Sequence, residues 1–305
     1  IDILKPDVNK SFEDFTVENN KIRFGLGSVK SVGTTAVENI VKERNENGPF
    51  KDFTDFCERT FDKQVNKKSI ECLIKAGAFD EFNKTRSTLL ASYIKIMDLV
   101  SDEHSKEFSN QITMFDIANN EDEVKKMKYD YDEKQEFSDK ELLSMEKEML
   151  GIYISGHPLE KYREKIEKIS TINTLMIEEA NESLETEGKC NLEDNKMVMI
   201  VGIITQIKKK FTKTNKIMCF VTIEDLYGST EMIVFESIYE KVQELLLEEN
   251  IVVISGRISI REDQDITIIV NNIKNISDVS EENAKEMIYQ SNSKFARKQA
   301  SKNQN

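Results

Sequence analysis

Met197-Val198-Met199-Ile200-Val201-Gly202-Ile203-Ile204-Thr205-Gln206-Ile207 is an apolar, largely β-branched run with one glycine inside it, followed at once by three lysines. β-Branched residues pack well on a pleated surface and lose rotamer freedom in a helix, so the run predicts a strand. A glycine within it marks a place where a strand bends sharply or another backbone comes close. The same period of two recurs downstream at Ile217–Glu224, then at Thr230–Phe235 after a turn at Leu226-Tyr227-Gly228. A helical pattern over Ser237–Leu247 and strands at Ile251–Ile260 and Ile266–Ile273 complete the set.

Three strands, a helix and two strands within residues 196–275 is the order of a five-stranded OB-fold β-barrel. Between its first two strands lies Lys208-Lys209-Lys210-Phe211-Thr212-Lys213-Thr214-Asn215-Lys216, expected as a basic loop with one aromatic. The loop between the last two strands is Arg261-Glu262-Asp263-Gln264-Asp265. These loops flank the face on which such barrels hold oligonucleotides, cations following phosphates and aromatics stacking on bases. Lys208, Lys209, Lys210, Lys213 and Lys216 are the candidate single-strand cations, and Phe211 and Phe220 the stacking candidates, ahead of Tyr227 and Phe235. The alternative is a solvated lysine hairpin over a core in which these aromatics are buried.

The first hundred residues read differently. A short hairpin, Asp14–Val17 then Lys21–Phe24, leads into Gly25-Leu26-Gly27-Ser28-Val29-Lys30-Ser31-Val32-Gly33-Thr34-Thr35 and a helix with Val37, Ile40 and Val41 on one face. A glycine turn opening into a helix offers backbone N–H groups at the positive end of the dipole, the way a helix-hairpin-helix grips phosphate without reading bases. A helix simply capped by Thr34 or Thr35 has the same signature. Phe50, Phe53 and Phe56 recur at helical spacing as a core stripe rather than a stacking platform. Lys67–Lys75 is a second helix, ending at Ala76-Gly77-Ala78-Phe79-Asp80 before another that starts near Lys84-Thr85-Arg86. Two helix-glycine-helix units in one block suit the regular spacing of phosphates on a duplex. The candidate duplex contacts are Lys30, Gly33, Thr34, Lys67, Lys68, Lys75, Gly77, Lys84 and Arg86.

From Val100 to Phe137 the pattern loosens into an acidic connection carrying Gln111-Ile112-Thr113-Met114-Phe115. Three apolar side chains with little apolar company fit either a docking peptide or an ordinary buried turn. Asp130-Tyr131-Asp132 lacks the apolar alternation that would hold a catalytic metal pair, so a solvated linker is expected there. A helix over Ser138–Leu150, with Ser138 and Glu141 as a capping box, stops at Gly151 and leads into Ser155-Gly156-His157-Pro158-Leu159. His157 reads as a turn residue and not a ligand. Past Ser280 a charged helix and a basic polar tail are expected.

The composition is that of a globular chain: 305 residues, 38% hydrophobic and 32% charged, with four cysteines in no metal-binding spacing and no apolar run long enough for a membrane. It predicts a cytoplasmic protein with no membrane partner. The chain opens in mid-pattern without Met, as a piece of a longer protein would. A net charge of −13 argues against a uniformly basic nucleic-acid surface and confines contact to local basic islands. The expected fold class is α+β multidomain: a helix-hairpin-helix block over 22–100, an acidic linker over 101–137, a helical connector over 138–195, the barrel over 196–275 and a charged tail over 276–305.

The assembly resembles the C-terminal part of the alpha subunit of bacterial DNA polymerase III. The resemblance is carried by Pro6-Asp7-Val8-Asn9, Ile22-Arg23-Phe24-Gly25-Leu26, Gly48-Pro49-Phe50, Val65-Asn66-Lys67-Lys68, Ile74-Lys75-Ala76-Gly77-Ala78-Phe79-Asp80, Glu148-Met149-Leu150-Gly151, Ser155-Gly156-His157-Pro158-Leu159, Glu224-Asp225-Leu226-Tyr227-Gly228 and Ser255-Gly256-Arg257. It implies that residues 1–21 end a fingers region, that tandem hairpins hold duplex product, and that the barrel lies near single-stranded template. It also implies a sliding-clamp peptide at Gln111, Met114 and Phe115, with Gln111 as polar anchor and the other two filling a pocket, and contacts to other replisome subunits. The usual first hairpin glycine of the family is Ser31 here. The family's catalytic carboxylates and their Mg belong to a palm domain that this chain does not carry, so no cofactor and no polymerase activity are expected of it alone. The competing readings are a stand-alone OB protein for single-stranded nucleic acid with a helical oligomerisation module, and a hydrolase using Asp130 and Asp132.

Overall fold

The computed structural model describes residues 2–108, 129–211, 216–261 and 264–287. They form two compact units, Ile1–Pro158 and Leu159–Asn305. The stretch expected as one helical connector is divided between them: the capped helix and the Ser155–Pro158 turn belong to the first unit, the remainder to the second.

The first unit opens with a small sheet of strands β1 (Ile3–Leu4), β2 (Thr16–Glu18) and β3 (Lys21–Arg23), in which β3 lies between the other two. The β2–β3 turn is closed by Asn19 and Asn20, both left-handed, a conformation that asparagine tolerates. Helices α1 (Thr34–Asn47), α2 (Phe53–Thr60), α3 (Lys67–Lys75) and α4 (Arg86–Phe108) follow, then α5 (Asp139–Leu150). Phe50, Phe53, Phe56 and Phe79 fill the centre, with ring centroids 4.9–5.0 Å apart in edge-on contacts. The phenylalanine stripe is therefore core. Helix α5 carries the predicted capping box, Ser138 with Glu141, and ends on left-handed Gly151.

The expected loose acidic connection differs from the structure at both ends. Helix α4 runs on to Phe108, and residues 129–137 form a bonded strap rather than a solvated linker. Tyr131 hydrogen-bonds Thr54, the Asp132 N–H donates to Ser92, the Ser87 hydroxyl donates to the Gln135 carbonyl, and Glu136 accepts the backbone N–H groups of Arg86 and Ser87. Gln111, Met114 and Phe115 lie outside the described residues, as do Lys213 and the 288–305 tail.

The second unit begins with α6 (Arg163–Ile169) and α7 (Thr174–Glu187), then strands β4 (Met197–Phe211), β5 (Ile217–Glu224) and β6 (Ser229–Phe235), helix α8 (Glu236–Val242), and β7 (Ile251–Arg261) and β8 (Gln264–Asn275). The strands close into a barrel in the order β4-β5-β6-β8-β7. Its interior is aliphatic: Val198, Ile200, Ile204, Val221, Ile223, Met232, Ile254 and Ile268 all pack in one cluster. Strand β4 serves two neighbours, pairing with β7 over Met197–Ile203 and with β5 from Ile203 to Phe211. At the crossover a Cβ on Gly202 would come within 2.8 Å of Ile223 and 3.0 Å of the Glu224 carbonyl, so the glycine in the opening run is required by close approach. Asp225 is a buried hub: its carboxylate accepts the N–H groups of Thr174, Tyr227 and Gly228 and the Thr174 hydroxyl, tying the β5–β6 turn to the start of α7. Among the described residues no helix is long and apolar enough to cross a membrane.

Candidate nucleic-acid interface

The first hairpin is residues 29–33. Buried Val29 and Val32 anchor it, and the Lys30 N–H donates to the Met149 carbonyl at 2.9 Å. Ser31 stands at φ 63°, the left-handed conformation for which the family pattern uses glycine. Helix α1 is capped neither by Thr34 nor by Thr35. Its N-cap is Gly33, in extended conformation, with no side-chain hydrogen bond and no acidic residue in the first turn. Nothing lies within 4 Å of the space a Cβ on Gly33 would fill. Among the described residues no acceptor meets the N–H of Thr34 or Thr35, and Lys30 is exposed with no carboxylate partner. An uncapped helix start, an open glycine and an unpaired lysine are the features that a phosphate cradle requires.

The second expected cradle, at Gly77, is already filled from within. A Cβ on Gly77 would collide with the Arg86 guanidinium, which lies against the turn. Arg86 is buried and spends its donors internally: Nε and Nη2 go to Asp80 at 2.9 and 2.7 Å, Nη1 to the Lys75 carbonyl, and Nη2 also reaches Glu146 at 3.3 Å. Gly77 and Arg86 are therefore structural, a correction to their reading as duplex contacts. Burial works to raise the Asp80 carboxyl, and the Arg86 bonds outweigh it, holding the group below its ordinary range. Glu146 receives in addition the N–H groups of Ile154 and Ser155, the Ser155 hydroxyl and Lys5. The Ser155–Leu159 motif is thus partly an anchor for a neutral pair of cations and carboxylates. Lys84 pairs with Glu133 and lies over the Tyr131 ring, while Lys75 pairs with Glu71 at 2.8 Å. Neither is a free cation.

The unit does contain a second hairpin, between α2 and α3 at residues 61–66. Phe61 stacks on His104 and Val65 is buried, while Asp62, Gln64 and Asn66 face solvent. Asn66 caps α3 by accepting the Ser69 N–H, leaving those of Lys67 and Lys68 without an acceptor among the described residues. Lys67 and Lys68 stand exposed on that first turn in surface ion pairs, Lys67 with exposed Asp98 and Lys68 with Glu71 at 3.2 Å, which a phosphate would have to displace. The signal for this hairpin was present in the sequence as Val65-Asn66-Lys67-Lys68, an N-cap before a helix; no glycine marks the turn, and the eye goes to Gly77 instead.

On the barrel, Lys208–Phe211 do not lie in a loop. They continue β4 and pair with β5, Lys208 opposite Phe220, Lys209 opposite Cys219, Lys210 opposite Met218 and Phe211 opposite Ile217. Side chains alternate across this ribbon. Lys208, Lys210 and Phe220 share the outward face with Met218 and, across β6, Ile233 and Phe235. Lys210 Nζ sits 4.9 Å from the Phe220 ring centroid. Lys209 turns the other way, over Tyr239 of α8 at 5.2 Å, and its ammonium is held above its ordinary pKa chiefly by a hydrogen bond to that tyrosine. Phe211 is 74% exposed on the Lys209 side. Lys216 lies 3.8 Å from the Glu236 carboxylate, and Lys213 is outside the described residues. The expected cations thus divide, two beside Phe220 and one away from it. Met218 and Ile233, not singled out from sequence, complete the apolar floor around Phe220, with Phe235.

A helix-hairpin-helix block and an OB barrel in one chain define a nucleic-acid-binding protein. The comparisons agree with that class: residues 1–89 match a helix-hairpin-helix motif family and residues 198–276 an OB-fold nucleic acid binding domain family. The chain is 34% identical over 282 residues to DNA polymerase III subunit alpha of Borreliella burgdorferi, covering 92% of this chain and 23% of that protein. It is 36% identical over 287 residues to the Bacillus subtilis subunit, covering 93% and 24%. A solved mitochondrial single-stranded DNA binding protein of S. cerevisiae, Rim1, aligns with 28% of this chain at 13% identity and a TM-score of 0.24, covering 97% of that chain. The chain is a homologue of the C-terminal part of DNA polymerase III alpha subunits, and it spans about a quarter of the length of the curated relatives it matches.

Proposed function

We propose that this chain is the DNA-holding and clamp-holding portion of a replicative polymerase, supporting processive synthesis catalysed elsewhere in the parent protein. The first unit takes duplex backbone through its two hairpins, and the barrel takes unpaired template on the outward face of β4, β5 and β6. The observation that carries the barrel's role is the grouping of Lys208, Lys210 and Phe220 on one face, cations beside an aromatic ring with an apolar floor. Single-strand affinity, measured by anisotropy over a salt series, should fall with a slope of about −0.7 per lysine engaged. Phe220→Ala should cost about 1–3 kcal/mol of binding, and Lys208→Ala with Lys210→Ala should flatten the slope. A salt-independent affinity, or one indifferent to Phe220, removes this role.

The clamp role rests on the Gln111–Phe115 peptide alone. Titration against a bacterial sliding clamp tests it: Gln111→Ala and Phe115→Ala should each weaken binding, Phe115 by about 1.5–3 kcal/mol if its ring is fully buried in the pocket. Equal affinity for both variants and the unaltered chain would sink it.

A further inference from the structure

The second hairpin has little bonding of its own: the Lys63 N–H donates to the Thr60 carbonyl at 3.2 Å and the Phe61 N–H to the Glu58 carbonyl at 3.4 Å. Asp62 and Gln64 stand at φ 57° and 61°, a region that residues with a side chain avoid and keep only when their surroundings impose it. Lys63 lies between them, and two residues of α1 hold it. Asn39 Nδ2 donates to the Lys63 carbonyl at 2.6 Å, and Lys63 Nζ donates to the Glu43 carboxylate. Glu43 is buried and takes Arg59 Nε at 3.1 Å and Asn47 Nδ2 at 2.9 Å as well. Arg59 in turn grips the Gly48 carbonyl at 2.7 Å, so the end of α2 is fastened to the end of α1. Asn39 and Glu43 are one helical turn apart on one face of α1. The helix whose start forms the first phosphate cradle therefore carries, along its side, the catch for the second hairpin. Lys63 itself is spent on Glu43.

We infer that Asn39 and Glu43 are positioning residues, which fix the second hairpin against the first so that the starts of α1 and α3 take phosphates of one duplex together. This rests on reading the hairpins as the duplex grip, and the test separates the two. In the full chain, duplex affinity is measured over a salt series for Lys67→Ala/Lys68→Ala, for Asn39→Ala, and for all three substitutions together. Removing both lysines should reduce the salt slope by about 0.9 for each phosphate no longer neutralised. With Asn39→Ala already present, the same removal should change affinity and slope by less than half as much, because a displaced hairpin has little left to lose. Lys30→Ala keeps its full effect in either background. Glu43→Gln combined with Lys63→Met, which removes the ion-pair half of the catch, frees no lysine and leaves Arg59 on Asp55 and the Gly48 carbonyl, should behave like Asn39→Ala and carries the comparison if that variant does not fold. The undiminished Lys30→Ala effect in each background reports that the first unit is intact, and unchanged single-strand affinity reports the same of the barrel. An equal lysine effect with and without the catch overturns the inference while leaving the duplex reading standing; no lysine effect in the unaltered chain overturns both.

Discussion

Arg86 places donors on Asp80, on Glu146 and on the Lys75 carbonyl, and with the left-handed backbone at position 77 it leaves room there for glycine alone. Truncating it leaves two carboxylates in a largely buried site with one cation fewer. Arg86→Ala should destabilise the first unit by about 3–5 kcal/mol in denaturant titration, and Arg86→Lys should recover little, because a single ammonium cannot reproduce the fork to Asp80. Glu43 makes a prediction about pH. Its carboxyl is held down at about 2 against an ordinary 4.5, chiefly by the Lys63 hydrogen bond, with Arg59 and Asn47 adding to it against the cost of burial. A depressed acid stabilises the fold fully above its unfolded value and loses that contribution as the pH falls from about 4.5 toward 2. The stability difference between the unaltered chain and Glu43→Gln should therefore shrink across that window and be constant above it, as read from unfolding curves at stepped pH. Asp225→Ala removes the acceptor of two backbone N–H groups in the Tyr227–Gly228 turn and of the buried Thr174 N–H and hydroxyl, and should cost the second unit about 3 kcal/mol.

At the scale of elements, what could be read from sequence was what local chemistry determines. Helix α3, the capping box of α5 and strand β5 fall where an Asn or Ser cap and a clean period set them. The strap of residues 129–137 was illegible because its partners on α2 and α4 stand far off in the chain, as in Tyr131 with Thr54, and its composition is that of a solvated linker. The second hairpin was misplaced for a related reason. A glycine advertises a turn, but Gly77 lies against an arginine, whereas the turn at 61–66 uses left-handed Asp62 and Gln64, held by contacts from α1 and by Phe61 against His104 of α4. The strap carries its own prediction: Tyr131→Ala removes a ring lying over Lys84 and a hydroxyl bonded to Thr54, and should raise hydrogen exchange along residues 129–137 before it affects helices α1 to α3.

Over the whole molecule, the two proposed grips differ in kind and belong to different units. Duplex affinity should respond to Lys30, Lys67 and Lys68, and single-strand affinity to Lys208, Lys210 and Phe220, with effects that add when the two sets are combined, since no partners are shared. A chain of net charge −13 has few cations to lend, so their direction counts for more than their number. That direction depends on Thr205, the extra residue where β4 skips a step against β5, between Ile204 opposite Ile223 and Gln206 opposite Thr222. Had Thr205 taken an ordinary place in the ladder, Ile207 would stand beside Phe220 and Lys208 would be driven inward against Cys219. One supernumerary threonine thus sets the parity of everything beyond it, and the charge an incoming strand would meet is decided by a miscount in the weave.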